Sequence, residues 1–228
     1  METDIEKNLV SVRERIERAA LRSGRDPSGV RLVAVTKTVG VDLINRAIDA
    51  GVGIIGENRV KDAKEKFGKI GARAGWHMIG HLQRNKVRDA LRIFEMIHSV
   101  DSLRLARAID GEASGRDITV PVMVEVNVSG EETKYGVVPG EVREIVEAAG
   151  RFGNIRVCGL MTMAPFVQDA EEVRPVFREL RRLRDALRRS GFDVEYLSMG
   201  MTQDFEVAIE EGATHVRIGS AIFGPRKY

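Results

Sequence analysis

A chain of 228 residues, 43% hydrophobic and 31% charged, has the make-up of a folded globular protein with room for one large core, which excludes a disordered or fibrous chain. Its 36 Lys and Arg against 34 Asp and Glu leave a formal net charge of +2, so no polyanion such as nucleic acid is demanded as a partner. The charged opening Met1-Glu2-Thr3-Asp4-Ile5-Glu6-Lys7 is unlike a signal peptide and no apolar run approaches the ~18 residues of a membrane span, so a cytoplasmic protein without a membrane partner is expected.

Thr3 and Glu6 have capping-box spacing, and Ile5, Leu9, Val12, Ile16 and Ala19 or Ala20 recur at intervals of three and four up to a stop at Gly24 and Pro27. Residues 1–26 therefore read as an amphipathic helix and linker ahead of the first strand. Beyond them, short β-rich runs alternate with helical ones. Strands are predicted over 30–36, 52–56, 76–79, 93–98, 119–128, 155–161, 194–198 and 215–218. Helices are predicted near 41–50, 59–69, 83–91, 102–113, 139–151, 170–189 and 203–211, several ending at a glycine suited to a left-handed cap: Gly51, Gly191 and Gly212. Eight strands each paired with a helix predict a single (β/α)8 TIM barrel over 1–228, in the α/β class, rather than an open sheet. The arginines between 178 and 189 follow Asp169, Glu171 and Glu172 and flank an apolar stripe of Val173, Val176, Phe177, Leu180, Leu183 and Leu187, as on a solvated outer helix face. Cys158, the single cysteine, lies in an apolar run and reads as a core residue.

In such a barrel the carboxyl ends of the strands converge on one mouth. Lys37 closes the first strand, where its amine either snorkels to solvent or sits among apolar neighbours that favour the neutral, nucleophilic form. The second strand ends in Gly56-Glu57-Asn58, the third in Gly80-His81 and the fifth in Asn127-Val128-Ser129-Gly130. After the seventh comes Ser198-Met199-Gly200-Met201-Thr202, running into a helix, and the eighth carries Arg217 before Gly219-Ser220. These last two loops are where barrels most often hold a phosphate. Gly200 and Gly219 would let backbone amides approach an anion, and Thr202 and Ser220 offer hydroxyls, although Thr202 can equally be a plain N-cap. No Walker or Rossmann glycine pattern is present. Arg217, between Val216 and Ile218, must find a partner: either a buried carboxylate, with Glu125 and Glu57 as candidates, or an acceptor nitrogen in a ligand ring. A molecule with an aldehyde for Lys37, a phosphate for the last loops and a ring nitrogen for Arg217 is pyridoxal 5'-phosphate. His77 and His81, four apart and without a nearby cysteine, make only a weak metal pair.

The segments Ala34-Val35-Thr36-Lys37, Gly56-Glu57-Asn58, His77-Met78-Ile79-Gly80-His81-Leu82-Gln83-Arg84-Asn85-Lys86, Val126-Asn127-Val128-Ser129-Gly130-Glu131, Gly159-Leu160-Met161-Thr162-Met163, Leu197-Ser198-Met199-Gly200-Met201-Thr202 and Val216-Arg217-Ile218-Gly219-Ser220-Ala221-Ile222-Phe223-Gly224 occur in this order without a large insertion. Together they resemble the pyridoxal phosphate homeostasis proteins, the YggS or PROSC type. The resemblance implies a barrel like the N-terminal domain of alanine racemases. It further implies the coenzyme held as a Schiff base on Lys37, Arg217 facing the pyridine nitrogen, Thr202, Gly219 and Ser220 on the phosphate, and Asn58 beside the ring, with His81 a weaker nomination. Thr36 and Thr202 stand where serine is common, and Arg59 stands where an aromatic is common, so the resemblance does not fix the shape of the pocket rim.

The function so implied is storage, buffering or delivery of intracellular pyridoxal phosphate without catalysis, with pyridoxal-phosphate-dependent apoenzymes as recipients and the protein a monomer. The alternative is an amino-acid racemase or a Schiff-base aldolase on the same barrel. An arginine stays protonated, so opposite the pyridine nitrogen it leaves the ring a weak electron sink. Racemases of this resemblance also place a second acid/base group on a further domain and a partner subunit, for which a chain closing at Tyr228 leaves little room.

Overall fold

The computed structural model describes residues 3–131 and 133–225. Met1 and Glu2 of the charged opening, Glu132, and the closing residues including Tyr228 lie outside the described residues.

The first helix, α1 (Ile5–Arg22), buries Ile5, Leu9, Val12, Ile16, Ala19 and Ala20, the stripe read from the periodicity. Each large member contributes about 2 kcal/mol of burial. Its cap differs from the expected Thr3–Glu6 box: Asp4 accepts from the Lys7 N–H at 3.0 Å, while Glu6 pairs with Arg46 at 3.0 Å. An Asp directly before the first helical residue satisfies an orphan N–H and adds negative charge at the positive end of the dipole, so it takes the position.

Eight parallel strands follow in chain order: β1 (Arg31–Val35), β2 (Ile54–Glu57), β3 (Gly75–Met78), β4 (Met96–Val100), β5 (Val120–Glu125), β6 (Ile155–Met161), β7 (Tyr196–Ser198) and β8 (His215–Ile218). Each pairs with the next and β8 returns to β1, closing the barrel. Between and after them lie α2 (Val41–Asp49), α3 (Val60–Ile70), α4 (Val87–Ala90), α5 (Leu103–Ser114), α6 (Val142–Ala149), α7 (Arg174–Arg189), α8 (Phe205–Glu210) and α9 (Ser220–Phe223). The glycines at 51, 191 and 212 have φ of 87°, 89° and 103°, the left-handed stops expected after α2, α7 and α8. The predicted helix over 83–91 shrinks to a 3-10 turn and the single turn α4, because the chain must re-enter the barrel at β4. Among the described residues β8 is followed by the one-turn α9, and α1 packs against α2, α8 and α9, filling the eighth seat of the outer ring. Arg15–Glu206 at 3.0 Å and Arg22–Glu210 at 2.8 Å fasten it to α8.

Outside the barrel wall the core is mainly aliphatic, with Trp76, Phe177 and Phe205 buried in it, but the barrel interior is not the usual stack of Val, Ile and Leu. On β8, Val216 and Ile218 belong to the aliphatic core, whereas His215 and Arg217 face the other way by strand alternation. They share the interior with His77, His98 and Ser198, all buried, and with a separate cluster of Met96, Met123, Cys158 and Met161. Cys158 is thus a core residue, and burial pushes its thiol up to about 11.

Candidate functional site

β1 stops at Val35, and Thr36 to Val39 form a turn closed by the Val39 N–H donating to the Thr36 carbonyl at 2.9 Å. Lys37, half-buried, is its second residue, and Thr38 its third, with φ of 68°. The barrel register decides what flanks that turn. Ala34 pairs with Ile218 on one side and Val35 with Gly56 on the other, so Gly219 and Ser220 lead away beside Lys37 on one flank and Glu57 and Asn58 on the other.

The two candidate phosphate loops do meet. Ser220 Oγ donates to Thr202 Oγ1 at 3.2 Å, joining the loops after β7 and β8. Thr202 is not an N-cap: α8 starts at Phe205, and its cap position is Asp204, whose carboxylate accepts from the Met201 N–H. The two glycines of these loops differ in kind. Gly200 has φ of 91°, and a Cβ there would lie 2.6 Å from Ala208 Cβ, so the fold itself requires it. At Gly219 a Cβ would make only ordinary 3.4 Å contacts with Val35, so the packing of the chain does not demand glycine.

Arg217 is 3% exposed, and neither carboxylate proposed from sequence is its direct partner. Its Nη1 donates to Ser198 Oγ at 2.6 Å, and its Nη2 donates to the Thr162 carbonyl at 2.8 Å and contacts Met163 Sδ at 3.2 Å. Glu57 is engaged elsewhere, accepting from Thr36 Oγ1 at 2.7 Å and from Lys66 Nζ at 2.6 Å. Glu125 and Asp204 act on Arg217 only through their charge. Burial draws the guanidinium down to about 10, against the pull of Asp204 and Glu125, and it remains a cation at neutral pH. Of its five N–H groups, those on Nη2 and one on Nη1 are engaged by the described residues, which leave Nε and the second Nη1 proton without an acceptor.

Three polar atoms at the strand ends around the mouth are buried and lack a partner among the described residues: Glu57 Oε2, Asn58 Oδ1 and Glu125 Oε2. An orphaned acceptor in a buried position is costly unless something outside the chain meets it. Glu125 ends β5, and its pKa is raised to about 7, first by burial and then by Asp101, with Arg217 opposing. Gly80 backs directly onto Asn58, where a Cβ would come within 2.5 Å of the Asn58 carbonyl. His81 stands on the rim, with Nδ1 2.9 Å from Asp101 and its ring stacked on Tyr135 at 4.0 Å. His77 turns inward to His98, so these two histidines do not converge. Arg59 is exposed at the cap of α3.

The sequence reading missed the polar column beneath Arg217. Ser198 Oγ lies 2.8 Å from His98 Nδ1, and His98 Nε2 lies 2.9 Å from His77 Nδ1. Since Ser198 accepts from Arg217, its own proton is available for His98 Nδ1, and that arrangement presents the His98 Nε2–H to His77. Burial lowers His77 to about 4 and His98 well below its ordinary value, so the column is neutral at pH 7. A histidine inside an otherwise apolar strand was the available signal, in His98 of β4 and His215 of β8.

The family described as "Alanine racemase, N-terminal domain" matches residues 8–227. A pyridoxal phosphate homeostasis protein of Aquifex aeolicus is 44% identical over 97% of this chain and 98% of its own length, and one from mouse is 38% identical over 96% and 86%. The solved structure of PipY from Synechococcus elongatus with PLP bound is 31% identical, covers 97% of this chain and all of its own, and superposes with a TM-score of 0.84.

Proposed function

This chain belongs to the pyridoxal phosphate homeostasis family, with the alanine racemase N-terminal fold, and on that premise we propose that it binds pyridoxal 5'-phosphate reversibly, for storage, buffering or delivery to apoenzymes. The supporting observation is that the Thr202–Ser220 hydroxyl pair, buried Arg217 and the Lys37 turn stand on the consecutive strands β7, β8 and β1, at one end of the barrel. When bound, the coenzyme would supply an aldehyde, a group for which a primary amine is the complementary nucleophile. Lys37 offers that amine from the turn after β1. Thr202 and Ser220 give hydroxyl donors for a phosphate, and Gly219 leaves room for its approach. Arg217, fixed by Ser198 and the Thr162 carbonyl, directs its remaining N–H groups at a ring acceptor, and Asn58 Oδ1 is an acceptor for the ring's edge.

The reading is non-catalytic because Arg217 is a permanent donor. A cation opposite the pyridine nitrogen supplies no proton to it, which weakens any stabilisation of a carbanion. PLP-bound PipY and the homeostasis relatives support the carrier assignment. A second reading, α-hydrogen exchange on an amino acid, draws on Glu125, a mouth carboxyl that titrates near neutrality.

Purified protein loaded with the coenzyme is expected to absorb in the visible and, after borohydride reduction, to carry the adduct on the peptide containing Lys37. Lys37→Ala, folded but colourless, is the expected control. A reduced adduct on another lysine overturns the site. Exchange of the α-hydrogen of an amino acid in heavy water at an enzymatic rate overturns the carrier reading in favour of the second.

A further inference from the structure

Lys66 belongs to α3, yet its ammonium reaches the turn that carries Lys37. Its Nζ donates to the Thr36 carbonyl at 2.6 Å and to Glu57 Oε1 at 2.6 Å. The same Glu57 oxygen accepts from Thr36 Oγ1 at 2.7 Å. Thr36 is thereby held by both its carbonyl and its hydroxyl, and the carbonyl is also the one that closes the turn with the Val39 N–H. Glu57 is fully buried and the Lys66 side chain 13% exposed, so these charge-assisted bonds are poorly screened.

The turn needs such a clamp. A positive φ at the third residue is the type II arrangement, a place for glycine or asparagine, and here it is filled by the β-branched Thr38 at 68°. Left to itself, Thr38 favours a negative φ, which would swing the preceding residue to another direction. Strain of this kind persists only where the surroundings over-determine it, and it collects at functional positions.

We propose that Lys66, paired with Glu57, is a positioning residue that holds the strained Thr36–Val39 turn and so aims the Lys37 amine into the barrel mouth. The inference rests on the reading of Lys37 as the residue that forms the coenzyme adduct.

The test uses Lys66→Met together with Glu57→Gln, which removes the ion pair and the bond to the Thr36 carbonyl without leaving a buried charge unpaired. Two quantities are measured: the rate at which pyridoxal 5'-phosphate forms the borohydride-reducible adduct, and the affinity for pyridoxine 5'-phosphate, which has the phosphate and ring but no aldehyde. Adduct formation should slow about tenfold, with affinity for the alcohol unchanged within about twofold. Adding Thr38→Gly, which makes the positive φ free of strain, should restore most of the rate. An unaltered rate overturns the positioning role, as does a parallel loss of both quantities or a slowed rate that Thr38→Gly leaves slow. Lys37→Ala separates the two ideas: if it retains the reducible adduct, the site reading fails, whereas if it abolishes the adduct while the paired variant reacts at the original rate, only the role of Lys66 fails.

Discussion

Arg217 and His98 share one hydroxyl: Ser198 Oγ accepts from Arg217 Nη1 at 2.6 Å and lies 2.8 Å from His98 Nδ1 on its other side. The three groups come from β8, β7 and β4, so a single oxygen ties the charged mouth of the barrel to its neutral histidine column. Ser198→Ala strands a buried guanidinium proton and a buried ring nitrogen together, which should cost about 2 to 4 kcal/mol. Urea unfolding monitors this, and the variant should also hold the coenzyme less tightly because Arg217 loses one of its fixed contacts. An unchanged midpoint would show that Arg217 finds an equal partner elsewhere.

The histidine column sets how the fold responds to acid. His215 is lowered to about 3, chiefly by burial and then by His77, Arg31 and Arg217, and its Nε2 has no partner among the described residues. In the unfolded chain it takes up a proton near pH 6.5, whereas in the folded barrel it does not, so stability falls as pH drops below 6.5. Down to pH 4 this amounts to about 3 kcal/mol for this side chain. His215→Leu removes both the orphaned nitrogen and that slope. Its stability should match the parent at pH 7 within about 1 kcal/mol and exceed it at pH 4.5, as read from thermal unfolding across that range.

What the sequence reveals and what it hides follow physical lines. β6 and β8 lie over 155–161 and 215–218 as predicted, and the buried face of α1 is the predicted one, because burial on a regular element imprints its own period on the chain. β4 is displaced to Met96–Val100 from the predicted 93–98, since Ile93 and Phe94 are buried as part of the turn after α4 and look like strand in the sequence. The juxtaposition of Thr202 with Ser220 was legible because loops after adjacent strands must be neighbours. The partners of Arg217 were not: Ser198 ends β7 while Thr162 and Met163 follow β6, and no local pattern distinguishes them from Glu57 or Glu125. Lys66 was equally invisible, as a lysine on a charged helix whose reach to Thr36 depends on the fold being closed.

The basic run of α7 is an ionic clamp on the barrel's outer layer. Glu211, 5% exposed in its side chain, lies 3.2 Å from Arg174, 3.1 Å from Arg178 and 3.0 Å from Arg181, the last without hydrogen-bond alignment at Oε2. Its own burial raises its pKa, but the bonds from Arg178 and Arg174 and the charge of Arg181 outweigh this and hold it below the usual carboxylate range. The stabilisation is therefore present above pH 4.5 and lost as pH falls through the lowered value. Glu211→Gln should cost about 1 to 2 kcal/mol at pH 7, less in molar salt because the arginines are partly exposed, and less at pH 3, as protonation of the parent's carboxylate releases the arginines. Denaturation at the two pH values and two salt concentrations checks both statements.

Glu125 behaves in the opposite sense and at neutral pH. Its folded pKa of about 7 lies above the ordinary 4.5, because burial and Asp101 penalise the charge more than Arg217 rewards it. Between pH 4.5 and 7 the folded protein therefore keeps a proton that the unfolded chain has released, and stability is lost as pH rises through that window and levels off above it. The loss amounts to about 3 kcal/mol at pH 8. Glu125→Gln keeps the shape and a donor in place of the neutral acid, so it should match the parent at pH 4.5 and be the more stable protein at pH 8. Because Glu125 faces the same mouth as Arg217, its charge should also make coenzyme retention change across pH 7 in the parent. That change should vanish in the Gln variant. Titrating coenzyme absorbance against pH in both proteins decides the matter: parallel curves through pH 7 would mean that the Glu125 carboxyl does not face the bound ligand.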